Sequence, residues 1–304
     1  MIFVIVASGI AIALALVNFN RTFSVPYPAI RSSSDSAVLA RGQYLVYGPG
    51  HCADCHAPPD QKNRVDSGLI TDLSGGYTIT TFLGEMRSPN ITSDPATGIG
   101  GLQDGEIARF FRYGVGHQGQ VGLPMMMYAD LSDDDLTAML SYLRTLPPVY
   151  HLVSPSHYNI LGKITKAYFL KPFAPATEPP LPQIPGLTAT YGAYLANTVA
   201  NCASCHTARN MKTGEYTGPR FAGGMVFHST NPTGMTVVSP NLTPDSSTGR
   251  IVTWSRENFE TRMRSGNLNR WSPMPWGPFS RMSAQDIGAI YLYLMQLHPV
   301  HKEN

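Results

Sequence analysis

Cysteine and charged residues are both scarce in this sequence. Of its 304 residues only four are cysteine and 14% are charged, and the formal net charge is +2. That charge is too small to indicate a nucleic-acid-binding surface, and no dense stripe of lysine and arginine is present. The cysteines form two pairs of equal spacing, Cys52 with Cys55 and Cys202 with Cys205. Because none is left over for a conventional disulfide framework, the sequence argues against a small disulfide-held scaffold.

The N-terminus is almost free of polar residues. Residues 2–17 are apolar except for one serine, and the run is just long enough for a bilayer, which takes about 17–25 residues. A cleaved signal peptide is the alternative, but no basic residue precedes Arg21 and no small-residue cleavage motif follows the run. The sequence therefore predicts a retained transmembrane helix over residues 1–20 and a linker over residues 21–35.

The rest of the chain repeats itself. Cys202 lies 150 residues after Cys52, and Ser239 lies 151 residues after Ser88. Four blocks match in the same order: Gly42–Leu45 with Gly192–Leu195, His51–His56 with Asn201–His206, Ser88–Thr92 with Ser239–Thr243, and Tyr142–Val149 with Tyr293–Val300. This pattern predicts a tandem duplication. We expect one domain over residues 36–150 and another over residues 188–304, joined by a proline-rich linker over residues 151–187.

Local patterns favour a mainly α fold. A helix is predicted at the start of each repeat, over about 36–47 and 188–200, and another is predicted over Tyr158–Leu170. Each repeat also ends in an amphipathic helix, with Ser132 and Ser283 as the N-cap residues. Glycine- and proline-rich loops with few strand patterns lie between these helices.

Each repeat carries the attachment motif of a c-type haem, Cys-x-x-Cys-His. The two thiols add to the vinyl groups of the porphyrin, and the spacing fits them when the segment forms one helical turn. The next residue, His56 or His206, then ligates the iron. Structural zinc would require further Cys or His pairs, and a thioredoxin motif would require a βαβ unit; neither pattern is found. The sequence therefore predicts two covalently attached haems, held by Cys52/Cys55 and Cys202/Cys205.

A low-spin carrier needs a sixth iron ligand, and methionine is the usual partner of histidine. In the second repeat, Met274 in the segment Ser-Pro-Met-Pro-Trp is the candidate. In the first repeat three methionines are consecutive, and alignment of Tyr128 with Trp276 selects Met126, with Met125 and Met127 left open. His117 is the rival ligand of the first haem, weighed against an ordinary surface-loop histidine.

Three kinds of segment resemble the class I cytochrome c domains of bacterial membrane-bound dehydrogenase complexes, and in particular the cytochrome subunits of alcohol and gluconate dehydrogenases. They are Ala40–Val46, the motif Cys52–His56 with its repeat, and Ser88–Thr92 continuing through Thr97–Gly100. The resemblance implies two tandem class I domains with His/Met-ligated haems and crossing terminal helices. It also implies that Gly42 and Gly192 permit the close approach of the helices that carry Tyr142 and Tyr293. Those subunits usually have three haem domains, whereas this chain has two.

The expected function is electron transfer rather than catalysis. The resemblance implies a single-pass protein of the bacterial cytoplasmic membrane whose haem domains face the periplasm. It would relay electrons between a dehydrogenase or quinol-oxidising partner and a terminal oxidase, soluble cytochrome or reaction centre. The alternative is a di-haem redox enzyme of the peroxidase or thiosulfate-oxidising type, which would need one haem with an open sixth position. A methionine candidate in both repeats favours the carrier.

Overall fold

Short helices joined by long loops form most of the computed structural model. It describes residues 9, 13–14, 16–122, 128–210, 214–228, 236–269 and 271–302. The helices of the first half are α1 (Ser36–Tyr47), α2 (Ala53–His56), a 3₁₀ turn (Pro59–Gln61), α3 (Lys62–Asp66), α4 (Asp104–Tyr113), α5 (Asp133–Thr145) and α6 (Ile160–Tyr168). Those of the second half are α7 (Ala189–Tyr194) with a π-helical turn (Leu195–Val199), α8 (Cys202–Cys205), α9 (Arg256–Arg264), α10 (Trp276–Ser280) and α11 (Ala284–Leu294).

The chain divides into two units. One consists of Met1–Gln43, Cys55–Lys62 and Thr71–Leu181, and the other of Tyr44–Asp54, Asn63–Ile70 and Pro182–Asn304. We call them unit 1 and unit 2. Unit 2 therefore takes two short segments from the first half of the sequence.

In unit 1 the first helix of the repeat crosses the last one at a glycine. A Cβ atom added to Gly42 on α1 would lie 2.0 Å from the carbonyl oxygen of Ala138 on α5, so only glycine allows this approach. Beside the crossing, Arg41 binds Asp135 through two hydrogen bonds of 2.8 and 3.0 Å. Asp135 is buried, and the paired guanidinium offsets the cost of burying its charge.

Unit 2 repeats this crossing between α7 and α11. A Cβ atom on Gly192 would lie 1.9 Å from the carbonyl oxygen of Ala289. After the crossing α7 widens into the π-helical turn, where Asn197 donates to the hydroxyl of Tyr293 over 3.0 Å. The close approach implied for Gly42 and Gly192 is confirmed.

A tyrosine from the first half of the sequence contacts the N-terminus of α11 inside unit 2. The hydroxyl of Tyr44 donates to Asp286 Oδ2 over 2.7 Å and accepts the backbone N–H of Ser283 over 3.1 Å. Asp286 is buried, so the phenol supplies a hydrogen bond to a carboxylate that has little access to water. Burial, together with the adjacent charge of Asp286, holds the pKa of Tyr44 far above its usual value.

The predicted N-caps are confirmed. Ser132 Oγ accepts from the backbone N–H of Asp135 over 3.2 Å, and Ser283 Oγ accepts from that of Asp286 over 3.1 Å. Each serine thereby satisfies one of the backbone donors that a helix start leaves unpaired. The predicted helix over Tyr158–Leu170 is also present as α6, with Asn159 as its N-cap.

Two small antiparallel sheets lie between the helices of the described chain. The first joins β1 (Thr78–Thr81), β2 (Gly84–Arg87) and β3 (His157–Tyr158), with Ile79 opposite Met86. The second joins β4 (Val226–His228) and β5 (Thr236–Val238), with Phe227 opposite Val237. Each β1–β2 or β4–β5 hairpin follows the Cys-x-x-Cys-His segment of its repeat, so the two hairpins are equivalent in position.

The predicted transmembrane helix is corrected by the structure. Within the described residues no helix is long and apolar enough to cross a membrane. Residues 1–8, 10–12 and 15, which make up much of the predicted helix over residues 1–20, lie outside the described residues. The predicted fold class is corrected in this respect. The predicted location, a single-pass membrane protein whose haem domains face the periplasm, is corrected as well, because no helix among the described residues could make that pass.

Candidate haem-attachment sites

Both Cys-x-x-Cys-His segments fold into one helical turn. The first forms α2 and the second α8, and the alanine inside each turn, Ala53 or Ala203, is buried. The residue before the first cysteine adopts a left-handed backbone conformation in each case, with φ of 39° at His51 and 50° at Asn201. Each turn therefore starts from a sharp bend, and the two cysteines and the histidine of each motif lie in the turn or directly beside it, as the motif requires.

The two motif histidines have the same orientation. Nδ1 of His56 lies 2.9 Å from the carbonyl oxygen of Pro89, and Nδ1 of His206 lies 3.1 Å from that of Pro240. A carbonyl can only accept, so Nδ1 must carry the proton and Nε2 must keep its lone pair. Burial lowers the pKa of both imidazoles, which favours the neutral form that ligates a metal.

The loop that supplies each carbonyl is held by one asparagine. In the first repeat Asn90 donates to Thr97 Oγ1 and to the carbonyl of Val149, over 3.0 and 2.8 Å, and its Oδ1 accepts the backbone N–H of Thr92 over 2.9 Å. In the second repeat Asn241 makes the same three contacts to Thr248, Val300 and Thr243, over 3.0, 2.8 and 2.9 Å. Both asparagines are buried. Each network ties the Ser-Pro-Asn loop to the end of its repeat.

The aspartates that follow these loops complete the turn. Asp94 Oδ1 accepts the backbone N–H of Thr97 over 2.7 Å, and Asp245 Oδ1 accepts that of Thr248 over 2.7 Å. These hydrogen bonds, first from the threonine side chains and then from their backbones, lower the pKa of both carboxyl groups. The short polar side chains of these loops therefore fix the turn.

A pair of glycines in each repeat was not singled out from the sequence. Gly75 donates its N–H to the carbonyl of His56 over 2.7 Å, and Gly223 donates to that of His206 over 2.8 Å. Both have positive φ, and a Cβ atom on either would lie 2.5 Å from a backbone atom of the Ser-Pro-Asn loop. The signal was available, because a Gly-Gly pair stands at matching places in the two repeats, Gly75–Gly76 and Gly223–Gly224.

In the described part of the chain no disulfide joins the four motif cysteines. In the second motif, burial raises the pKa of Cys202 to about 12, so that thiol is protonated at neutral pH. Cysteine thiols on one helical turn are the groups that form thioether bonds with the vinyl substituents of haem. Together with a neutral imidazole that offers Nε2, they fit a c-type haem at each motif.

The predicted sixth ligands differ in how far the structure describes them. Met274 is half-buried and lies between α9 and α10, in the same unit as His206. Met126, like Met125 and Met127, lies outside the described residues. His117, the rival ligand of the first haem, is exposed, and it is the backbone carbonyl of this residue that accepts a hydrogen bond from Arg109 over 3.2 Å.

Comparison with known proteins agrees with this reading of the motifs. A family model described as cytochrome c matches residues 189–298. The alcohol dehydrogenase (quinone) cytochrome c subunit of Gluconacetobacter polyoxogenes is 34% identical over 209 residues, which are 65% of this chain and 39% of the relative. The gluconate 2-dehydrogenase cytochrome c subunit of Pantoea cypripedii is 27% identical over 267 residues, 85% of this chain and 54% of the relative.

A third relative is closer to this chain in length. The diheme cytochrome c-type protein of Cereibacter sphaeroides is 29% identical over 229 residues, which are 72% of this chain and 73% of the relative. By contrast, the chain spans about two fifths of the alcohol dehydrogenase subunit and about half of the gluconate dehydrogenase subunit. The resemblance to cytochrome c subunits of dehydrogenases is confirmed. Residues 189–298 of this chain form a cytochrome c domain, and such a domain implies covalently bound haem c.

Proposed function

We propose that this chain is a di-haem electron carrier. One haem is attached through Cys52 and Cys55 in the repeat over residues 36–150, and the other through Cys202 and Cys205 in the repeat over residues 188–304. The observation that carries the proposal is the pair of equivalent imidazoles, each with Nδ1 hydrogen-bonded to a proline carbonyl. One such site suits one haem, and the repetition of the histidine, asparagine and aspartate contacts supports a second.

The bound haem supplies a one-electron iron couple whose potential the protein sets through its ligands and burial. His56 and His206 provide the fifth ligands through Nε2. The hydrogen bond to the carbonyl fixes the tautomer and the ring plane and makes the imidazole a stronger donor, as such partners do at other metal sites. Met126 and Met274 are the proposed sixth ligands, and a thioether in that position raises the reduction potential.

The partners follow from the relatives, which are named as subunits of alcohol, gluconate and fructose dehydrogenases. We infer that the electrons come from a dehydrogenase or quinol-oxidising protein and pass to a terminal oxidase, a soluble cytochrome or a reaction centre. In this role the chain would perform no substrate chemistry, because His56, Met126, His206 and Met274 would leave neither haem with an open position.

An optical and electron paramagnetic resonance titration of the purified protein tests this function. We expect two low-spin ferric signals and the weak red absorption band of ferric haem with a methionine sulfur ligand. Neither haem should bind cyanide or carbon monoxide readily. A high-spin haem that binds these ligands at once would contradict the carrier role and favour a di-haem enzyme of the peroxidase or thiosulfate-oxidising type.

A further inference from the structure

The backbone of Met274 is held on both sides by its neighbours. Its N–H donates to Ser272 Oγ over 3.4 Å, and its carbonyl accepts the N–H of Trp276 over 2.8 Å. The indole Nε1–H of Trp276 donates to the same Ser272 Oγ over 2.9 Å. Since a hydroxyl oxygen has two lone pairs, Ser272 can accept both bonds at once. The three residues therefore form a closed ring of hydrogen bonds around the methionine.

This ring is fixed to helix α9 by an arginine. The guanidinium carbon of Arg262 lies 3.5 Å from the ring centroid of Trp276, which is a close cation–π contact. Arg262 also donates to the carbonyl of Gly266 over 3.1 Å, at the point where the loop leaves α9. One side chain thus contacts both the start of the loop and the indole behind Met274. Desolvation of the guanidinium lowers the pKa of Arg262, consistent with its position against the aromatic ring.

The first repeat has a different pair at the corresponding place. Phe111 on α4 contacts Tyr128, with ring centroids 5.6 Å apart. Tyr128 stands where the sequence alignment places Trp276, and Phe111 lies 151 residues before Arg262. Both repeats therefore pack a residue of the preceding helix against the aromatic residue that follows the methionine segment. In the second repeat that packing residue is a cation, and the aromatic residue also donates a hydrogen bond.

We propose that Ser272, Trp276 and Arg262 are positioning residues that hold Met274 in place as the sixth ligand of the second haem. The proposal rests on the ligation of that haem by Met274, and it assigns the stability of the ligation to these three side chains. A thioether is a weak and neutral ligand, so its occupancy depends on how firmly its loop is held. Loosening the ring releases the thioether and lets an added ligand bind in its place.

Variants of the full-length haem-loaded protein test this assignment with imidazole as the competing ligand. Trp276→Phe keeps a ring under Arg262 but removes the indole donor, and Ser272→Ala removes the shared acceptor. The loss of one hydrogen bond should tighten imidazole binding at the second haem by about fivefold. The red band should weaken and the midpoint potential of that haem should fall, because less of its iron keeps the sulfur ligand. Ser272→Thr retains the hydroxyl and should behave as the wild type.

The role of Arg262 is tested by Arg262→Gln, which should weaken the red band of the second haem, as Trp276→Phe and Ser272→Ala do. Trp254→Phe is the matched control, since Trp254 belongs to the same repeat and is contacted by Tyr291 through its carbonyl. Met274→Ala distinguishes the ligation of the second haem by Met274 from the positioning role of Ser272, Trp276 and Arg262. If Met274→Ala leaves the band and the potential of the second haem unchanged, the proposed ligation itself is wrong. If Met274→Ala removes the contribution of the second haem to the band but Trp276→Phe and Ser272→Ala bind imidazole like the wild type, the positioning role is wrong.

Discussion

Nδ1 of His56 lies 2.9 Å from the carbonyl oxygen of Pro89, a contact that fixes which nitrogen of this imidazole is free to ligate iron. The contact recurs between His206 and Pro240 at 3.1 Å. A cysteine motif alone indicates where a haem is attached. The carbonyl contact adds that Nδ1 of each histidine holds a proton, so that in the neutral ring Nε2 is the nitrogen that can ligate iron.

The buried asparagine networks should matter for stability in both repeats. Asn241→Ala removes hydrogen bonds to Thr248, Val300 and Thr243. Each lost bond should cost about 1 kcal/mol, and the partner groups left without a hydrogen bond add to this cost, so the free energy of unfolding should fall by about 3–5 kcal/mol. Urea denaturation followed by circular dichroism measures the change. Asn241→Asp keeps the acceptor but loses the donor, so an intermediate loss is expected; equal stability of Asn241→Ala and the wild type would refute the role of the network.

The glycine crossings should not tolerate a methyl group. Gly192→Ala places a Cβ atom 1.9 Å from the carbonyl oxygen of Ala289. Forcing the helices apart should cost about 1–3 kcal/mol beyond the gain of about 1 kcal/mol in helix propensity. The control is Gly105→Ala, another helical glycine, whose nearest neighbour would be Tyr27 Cδ1 at an ordinary 3.5 Å. Thermal unfolding should show a lower Tm for Gly192→Ala alone, and similar Tm values for the two variants would contradict the close crossing.

The Tyr44–Asp286 contact predicts a pH-dependent contribution to stability. Tyr44→Phe leaves the buried carboxylate without the phenol, which should cost about 1.5–3 kcal/mol at neutral pH. The raised pKa of Tyr44 means that the folded state retains the phenolic proton above about pH 10, where tyrosine in the unfolded chain loses it. The stabilisation is therefore fully present below that pH and is lost as the pH rises further.

Denaturation of the wild type and of Tyr44→Phe across the alkaline range checks this sign. The stability gap between the two proteins should be constant up to about pH 9 and should narrow above about pH 10. Tyr150→Phe, at a tyrosine that is 71% exposed, is the control and should show no gap at any pH. A Tyr44→Phe gap that widens with rising pH would be inconsistent with the contact.

The three consecutive methionines of the first repeat can be separated by single substitutions. We expect Met126→Ala to remove the red band of the first haem and to lower its potential, because a thioether ligand raises the potential. Met125→Ala and Met127→Ala are internal controls that should leave both unchanged. If either control loses the band while Met126→Ala behaves as the wild type, the sixth ligand is the neighbouring methionine, Met125 or Met127, and the assignment of Met126 is wrong.

Local sequence patterns predicted the parts of this fold that depend on neighbouring residues. The serine caps, α6 and the helical turn of each haem motif all follow from residues within one or two turns of each other. The glycine crossings could be inferred as well, because the same Gly-x-Tyr-Leu pattern opens each repeat and the resemblance gave it a role.

Features that depend on distant residues could not be predicted in this way. Tyr44 and Asp286 are 242 residues apart, and nothing near either residue indicates the other. The hairpins were missed because their strands are only three or four residues long, too short for a recognisable alternation. The prediction of a transmembrane helix rested on the apolar character and the length of residues 2–17, and no helix among the described residues is long and apolar enough to cross a membrane.

The most direct test of the central claim is the intact mass of the purified, denatured protein, measured beside two double variants. Covalently bound haem survives denaturation, so the wild type should carry the mass of two haem groups. Cys52→Ala/Cys55→Ala and Cys202→Ala/Cys205→Ala should each carry one. A wild-type mass with one haem, or with none after expression alongside a haem-attachment system, would contradict the account of two equivalent sites.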